Sequence, residues 1–390
     1  MKGNVLIVHG GAPTAVINAS LYGAITEAKK YAEVDKIYGA RGGSGAIASG
    51  DFIDLTNIPQ EQLERLPFTP GSAIGTSRTP LVEADYKAIA EALKKHNIKW
   101  LLFNGGNGSM DACGKVAAQV KDTDIRVVGI PKTIDNDIAI TDHAPGFGSA
   151  ARYLAASVRE LCYDVASLPI HVAVIEAMGR NAGWLTAAAA LAGTAEDGGP
   201  HLIYVPEKPF NQEEFLDKAS TLYKKHGGVV VVASEGLKDA TGTPIVPPIF
   251  QVGRAVYYGD VSAHLANLVI QKLGIKARSE KPGILGRTST AWQSEIDRQE
   301  AIVAGQEAMR AALAGETAVM VGFRRLSDSS KLQQGYNCET FLIPVEEVML
   351  KERTLEERYI NPAADGITQE FVQWCSPLIG GSLPEFPRFS

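Results

Sequence analysis

Five short apolar runs, each delivered into a glycine, a proline or an acidic turn, constrain this chain more than any other feature. They are Val5–Val8 before Gly10-Gly11, Trp100–Phe103 before Gly105-Gly106, Val127–Ile130 before Pro131, Val172–Ile175 before Gly179, and Val229–Val232 before Glu235-Gly236. Continuous apolar runs of this length fit strands buried on both faces, which is the condition of strands in a parallel sheet covered by helices. Amphipathic stretches supply those helices: the spacing predicts them at Ala84–Lys95, Gly148–Leu161, Gln212–Lys225, Val261–Leu273 and Ile296–Ala314. The chain is therefore expected to be α/β, with ligands gathered at the carboxyl ends of its strands.

Length and charge narrow the function. At 390 residues the chain is long enough for two or three domains, and 45% hydrophobic residues can fill their cores. Lys plus Arg number 38 against 44 for Asp plus Glu, a formal charge of −6, so the overall positive field that serves nucleic acid binding is lacking. Cys113, Cys162, Cys338 and Cys375 are widely spaced and form no C-x-x-C pair, which removes support for a zinc ribbon or a disulfide framework and suits a reducing, cytoplasmic compartment. The opening residues read as a first strand rather than a signal peptide, and no apolar run approaches the roughly 20 residues of a membrane span.

Three loops carry chemistry. The first, Gly10 to Ala19, places Gly11 where backbone can approach a phosphate ahead of a helix N-terminus; a plain strand-to-helix turn explains it equally well. It matches neither the Walker A nor the G-x-G-x-x-G spacing. In the second, Asn104 to Asp111, the run Gly106-Asn107-Gly108-Ser109 exposes successive amides and a hydroxyl to an anion, unless Ser109 is only a helix cap. The third, Gly129 to Asp137, sets Lys132 and Thr133 beside Asp135 and Asp137. A general base, a carboxylate near a metal and a cation for a moving phosphate can all come from those residues; an Asx-turn with exposed acids is the plainer alternative. Two phosphate-type loops on one sheet favour the chemical reading.

With these loops, Met178-Gly179-Arg180-Asn181-Ala182-Gly183-Trp184 and Ser234-Glu235-Gly236 in the same order, the chain resembles the A-type phosphofructokinase family from its first strand to Pro377-Leu378-Ile379-Gly380. The resemblance implies two interleaved Rossmann-like domains with mostly parallel sheets and an active site in the cleft between them. It assigns residues 1–147 plus about 288–312 to the phosphoryl donor, and 148–287 plus about 313–390 to the sugar phosphate. It implies Mg²⁺-dependent transfer to the 1-hydroxyl of fructose 6-phosphate by a homodimer or homotetramer, with no nucleic acid or membrane partner.

Carried over position by position, the resemblance makes Asp135 the general base, Asp137 a support for the reacting phosphate or metal, and Lys132 a transition-state cation. Gly11, Arg78, Gly106, Asn107, Gly108 and Ser109 fall at the donor, with Asn107 at the metal. Thr133, His171, Met178, Gly179, Arg180, Glu235, Arg278 and Arg287 fall at the sugar phosphate, with Arg278 and Arg287 expected on its 6-phosphate. A plain surface charge or helix-start acid is the alternative for the arginines and Glu235.

For the donor, family members that use ATP resemble this chain at Gly108, and those that use pyrophosphate resemble it at Lys132 and in the sequence background. The local contact favours ATP, because a carboxylate at 108 would repel a nucleotide α-phosphate; pyrophosphate is the alternative. Asn107 stands where many relatives have aspartate, His171 where bacterial enzymes have arginine, and Ile284 where they have histidine. These departures make sedoheptulose 7-phosphate a competing acceptor. NAD kinases and diacylglycerol kinases share a GGDG-type loop but not the PKTIDND and MGR segments, and a non-catalytic subunit would have no need of Asp135.

Overall fold

A computed structural model describes residues 2–193, 199–252, 255–326 and 336–387. Its strands are β1 (Gly3–His9), β2 (Val34–Ala40), β3 (Phe52–Asp54), β4 (Ile98–Gly105), β5 (Arg126–Pro131), β6 (Val172–Ala177), β7 (Leu202–Tyr204), β8 (Val229–Ser234), β9 (Pro248–Val252), β10 (Ala255–Tyr258), β11 (Ala277–Glu280), β12 (Val319–Arg325) and β13 (Cys338–Pro344). The chain divides into two compact units, one of residues 1–149 and 287–353, the other of residues 150–286 and 354–390.

The first unit is built on a seven-stranded sheet in the order β13-β12-β5-β4-β1-β2-β3. Its five central strands run parallel, and the edge strands β3 and β13 are antiparallel to their neighbours. Both faces of β1 are used, because successive side chains point to opposite sides of a strand. Leu6 and Val8 join a core with Phe103, Met110 and Val116, while Val5 and Ile7 join the opposite one with Leu21, Ala304 and Ala308. On that second face the helix Ile17–Ala28 meets the helix Glu295–Leu313 at glycine contacts. A Cβ on Gly23 would stand 2.0 Å from the Ile302 carbonyl oxygen, and one on Gly305 would stand 2.0 Å from that of Ser20. Only glycine admits so close a backbone approach.

The second unit holds an all-parallel sheet in the order β11-β6-β8-β7 and a separate antiparallel ribbon of β9 and β10. β6 and β8 are buried along their whole length, as their unbroken apolar runs require. The helices Gln212–His226 and Val261–Leu273 begin at Asn211 and Asp260, whose side chains accept from the first free amides.

The five expected helices are present, as Glu83–Lys95, Phe147–Ser167, Gln212–His226, Val261–Leu273 and Glu295–Leu313. One boundary differs from expectation: residues 313–353, read as part of the sugar-phosphate unit, belong with the first. The reason is sheet pairing, since β12 lies parallel to β5 (Val319 opposite Val128, Met320 opposite Gly129) and carries β13 with it. Of the polar stretch 325–337, residues 327–335 lie outside the described residues. No helix among the described residues is long and apolar enough to cross a membrane.

Candidate active site

In the first unit the three predicted loops leave the carboxyl ends of adjacent strands β1, β4 and β5, and they interlock through glycines. A Cβ on Gly10 would lie 2.1 Å from Ser109 Oγ, and one on Gly105 would lie 2.0 Å from it, so the Ser109 hydroxyl fills the notch between the first two loops. Gly11, at φ 77°, sits in the left-handed region and donates its amide to the Ser77 carbonyl at 2.9 Å, which draws the Thr76–Arg78 segment alongside. The third loop joins by main chain and side chain: the Lys132 amide donates to the Gly105 carbonyl at 3.1 Å, and its Nζ donates to the Ala12 carbonyl at 2.6 Å.

Within the third loop Thr133 acts as a spacer. Its Oγ1 accepts from the Asp135 amide at 3.0 Å and donates to Asp137 Oδ1 at 2.8 Å, fixing one carboxylate relative to the other. Asn107 Nδ2 donates to the second oxygen of Asp137 at 3.0 Å, tying the second loop to the third. Between the two acids Asn136 turns the chain at φ 51°, a left-handed conformation that asparagine tolerates, and its Oδ1 accepts from the Ala144 amide at 3.1 Å.

Charge gathers around these acids. Lys132 is buried, and burial pulls its pKa down from 10.5 to about 8; the nearby Arg78 adds to that, while Asp137 and Asp135 oppose it and Arg287 adds again. Burial likewise lowers the Arg287 pKa, with Arg78 reinforcing and Asp135 opposing. Arg287 Nε is buried with no hydrogen-bond partner among the described residues. Three cations thus stand near two carboxylates, an excess of positive charge with a donor left over for an anion.

The second unit assembles another group at the carboxyl ends of β6 and β8. The Ser234 hydroxyl donates to the Gly179 carbonyl at 2.9 Å and accepts from the Gly236 amide at 3.0 Å, while the Gly179 amide donates to Glu235 Oε1 at 3.2 Å. Met178, Gly179 and Arg180 are thereby held beside Glu235. The approach is very close: a Cβ on Gly236 would fall 1.8 Å from the Arg180 carbonyl oxygen. Burial raises the Glu235 pKa, against the Gly179 amide, Arg180 and Lys281.

Lys281 and Glu176 escaped the sequence reading. Their ion pair is 2.9 Å long, and Glu176 Oε2 also accepts the Ser262 amide at 3.1 Å. The signal was a lysine after β11 and an acid inside an apolar strand, residue types that need partners when buried. Asp297 was also missed. It is buried, accepts from the Gly146 and Ser149 amides at 2.8 and 2.9 Å, and burial raises its pKa to about 6.

Of the residues expected at the sugar phosphate, Thr133 and Arg287 belong to the first unit, and two of the second unit do not join that group. His171 precedes β6, and Arg278 on β11 pairs with Ala173, so both lie at the amino ends of the strands whose carboxyl ends present Met178–Arg180. Six residues of β6 separate the ends by about 20 Å at roughly 3.3 Å per residue. Burial lowers the His171 pKa, and the Arg278 and Lys276 charges add to it. Arg287, expected with Arg278, belongs to the first unit beside Lys132 and Asp135 instead.

Comparison with known proteins sets this arrangement in context. The sequence pattern described as "Phosphofructokinase" matches residues 4–312. The chain is 35% identical to the pyrophosphate-fructose 6-phosphate 1-phosphotransferase of Rhodospirillum rubrum over 99% of its own length and 96% of the relative's. It is 34% identical to the sulfofructose kinase of Alkalicoccus urumqiensis, over 92% of each chain. The crystal structure of a pyrophosphate-dependent phosphofructokinase from Marinobacter aquaeolei superposes with a TM-score of 0.88 at 34% identity, covering all of this chain and 94% of that one.

Proposed function

Because the chain belongs to the phosphofructokinase family, we propose that it moves a phosphoryl group between pyrophosphate and the 1-hydroxyl of fructose 6-phosphate. The observation that carries this reading is the third loop: Asp135 held by Thr133, with Lys132, Arg78 and Arg287 supplying positive charge around it. Asp135 takes the proton of the attacking hydroxyl, a role worth about 10²–10⁴ in rate. Lys132, Arg287 and Arg78 offset the charge of the transferring group, whose loose transition state calls for positioning and neutralisation rather than covalent help. The Gly106–Ser109 loop cradles the donor.

Magnesium fits the residues present. Asn107 Oδ1 is buried without a hydrogen-bond partner among the described residues, and with the carboxylates of Asp135 and Asp137 it makes an all-oxygen donor set suited to a hard cation. Asn107, Asp135 and Asp137 would hold the ion, which supplies charge neutralisation between donor and reacting phosphate. Asn107 brings no charge of its own, so the two acids carry the electrostatic part of the binding.

On the acceptor side Glu235 accepts sugar hydroxyls and Arg180 binds the substrate. The name of the Rhodospirillum relative supports pyrophosphate as donor, as does Lys132. ATP is the second reading, and one observation favours it: the face of Gly108 that would bear a Cβ has no atom within 4 Å. An open position admits a nucleotide without rejecting the smaller donor, so the background weighs for pyrophosphate. The positions of His171 and Arg278, away from Met178–Arg180, support their use with a second copy in a homodimer or homotetramer. A cytoplasmic location fits four free cysteines.

The test is a matrix of Mg²⁺ assays pairing pyrophosphate or ATP with fructose 6-phosphate, sulfofructose or sedoheptulose 7-phosphate. Turnover of fructose 6-phosphate with pyrophosphate, reversible on adding phosphate, is the expected result. Turnover with ATP alone transfers the assignment to the second reading, and preference for another acceptor replaces the sugar.

A further inference from the structure

Behind the third loop, still in the first unit, lies a group of side chains that phosphoryl transfer does not use. His143 is buried, with Nδ1 2.8 Å from Asp142 Oδ2 and Nε2 2.7 Å from Glu300 Oε2. The Tyr336 hydroxyl donates to the other Glu300 oxygen at 2.6 Å. Arg325 Nε donates to Asp142 Oδ2 at 3.0 Å, and Cys338, the first residue of β13, is paired across the ladder with Arg325. One ring nitrogen of His143, one carboxylate oxygen of Glu300 and the Cys338 sulfur all lie within 4.8 Å of one another.

We propose that His143, Glu300 and Cys338 form a zinc site, completed by water as a fourth ligand. The donor types select the ion. Imidazole, carboxylate and thiolate suit zinc, whereas magnesium prefers oxygen alone. Bonds of about 2.0–2.3 Å place the corners of a tetrahedral site about 3.3–3.8 Å apart, a spacing the three groups reach by side-chain adjustment as the Glu300 oxygen backs away from the imidazole.

The surroundings are also those of a metal-binding histidine. Asp142 accepts from the ring nitrogen opposite the metal, which fixes ring orientation and strengthens the ligand. Charge balances in the exchange: Zn²⁺ enters, one proton leaves the imidazolium that the two carboxylates hold, and one leaves the thiol. The total over Asp142, Glu300, Arg325, His143 and Cys338 is unchanged.

The site would act as a clip. Glu300 comes from the helix Glu295–Leu313, Cys338 from β13, and His143 from the segment that supports the reacting loop, where Ala144 donates to Asn136 and the Thr133 amide donates to the Pro145 carbonyl at 3.1 Å. Zinc would tie that segment to two elements distant in sequence, through residues other than Asp135 and the magnesium ligands.

The experiment uses the full chain, stripped of metal by a chelator and titrated with Co²⁺ as a spectroscopic probe and then with Zn²⁺. One equivalent of cobalt should give the visible bands of a tetrahedral ion together with sulfur-to-cobalt charge transfer in the near ultraviolet, and zinc should displace both. Cys338→Ser should abolish the charge-transfer absorption and weaken zinc binding by 100-fold or more, and Asp142→Asn should weaken it about 10–100-fold. Zinc should also slow alkylation of Cys338. Cys113→Ser, a buried cysteine outside the cluster, should leave the cobalt spectrum unchanged. Octahedral cobalt bands without charge transfer, zinc binding that survives Cys338→Ser, or no binding at micromolar zinc would each overturn the proposal. Circular dichroism of each variant separates loss of the site from loss of the fold.

Discussion

Lys132→Met should make the protein slower and no less stable, a combination that ordinary loss of a buried contact would not give. The lysine is only 5% exposed, and burial brings its pKa from 10.5 to about 8. Each pKa unit corresponds to about 1.36 kcal/mol, so keeping the charge in the free protein at neutral pH costs roughly 3 kcal/mol. The folded pKa lies below the unfolded one, so this cost is present in full below about pH 8 and is relieved as pH rises from about 8 towards 10.5. Methionine removes it but leaves the Ala12 carbonyl without the donor it now has at 2.6 Å, a loss of about 1–3 kcal/mol. The balance at pH 7 runs from nothing to about 2 kcal/mol of stabilisation. Loss of one positioned charge at the transferring phosphate should meanwhile lower kcat about 10²–10³-fold. The protonation state adds a signature: kcat/KM of the unsubstituted protein should fall tenfold per pH unit above about 8, and the variant should lack that limb. Thermal unfolding at pH 7 and 9 and pH profiles for both proteins test this. A variant destabilised by more than about 2 kcal/mol, or one that keeps the alkaline limb, would refute the assignment of a buried, charged Lys132 to the reaction.

Asp135→Asn should lower kcat by about 10³-fold or more, through loss of the proton acceptor and of one charge on the magnesium, while the KM for the sugar phosphate stays within a few-fold because Glu235 and Arg180 are untouched; unchanged turnover in initial-rate assays would remove the mechanism. Gly108→Asp should leave the unfolding temperature where it is, because its Cβ enters open space, while suppressing ATP use relative to pyrophosphate; a constant donor ratio would show that this position does not select. Gly236→Ala places a methyl 1.8 Å from the Arg180 carbonyl oxygen, so it should cost about 1–3 kcal/mol and raise the sugar-phosphate KM as Arg180 is displaced. Denaturant unfolding and acceptor titration together check it, and a neutral variant would show that the two loops can part freely.

The reacting loops were legible in the sequence because each follows a strand in which all but one residue near the amino end is buried. An unbroken apolar run marks such a strand, and glycines mark where two loops crowd together, as Gly10 and Gly105 do around Ser109. Pairings between distant segments were hidden. Nothing local in Val319–Arg325 announces β5 as its neighbour, which is why residues 313–353 were expected elsewhere. Arg278 was visible as an arginine near Gly283, but only the register of β11 against β6 shows which end of the sheet it occupies. The His143 group shows the same limit most sharply, as its carboxylate partner Glu300 is 157 positions away.

The direction of β6 sets a condition on how the protein works in dilute solution. A strand has two ends, and one bound hexose phosphate cannot reach both across about 20 Å. If His171 and Arg278 serve an acceptor at all, it is one held by another chain, and each chain is then half of two working sites. Rate per chain would cease to be a constant and would fall in proportion to concentration once the protein is thinned below its dissociation constant, so every turnover number measured for it needs the protein concentration beside it.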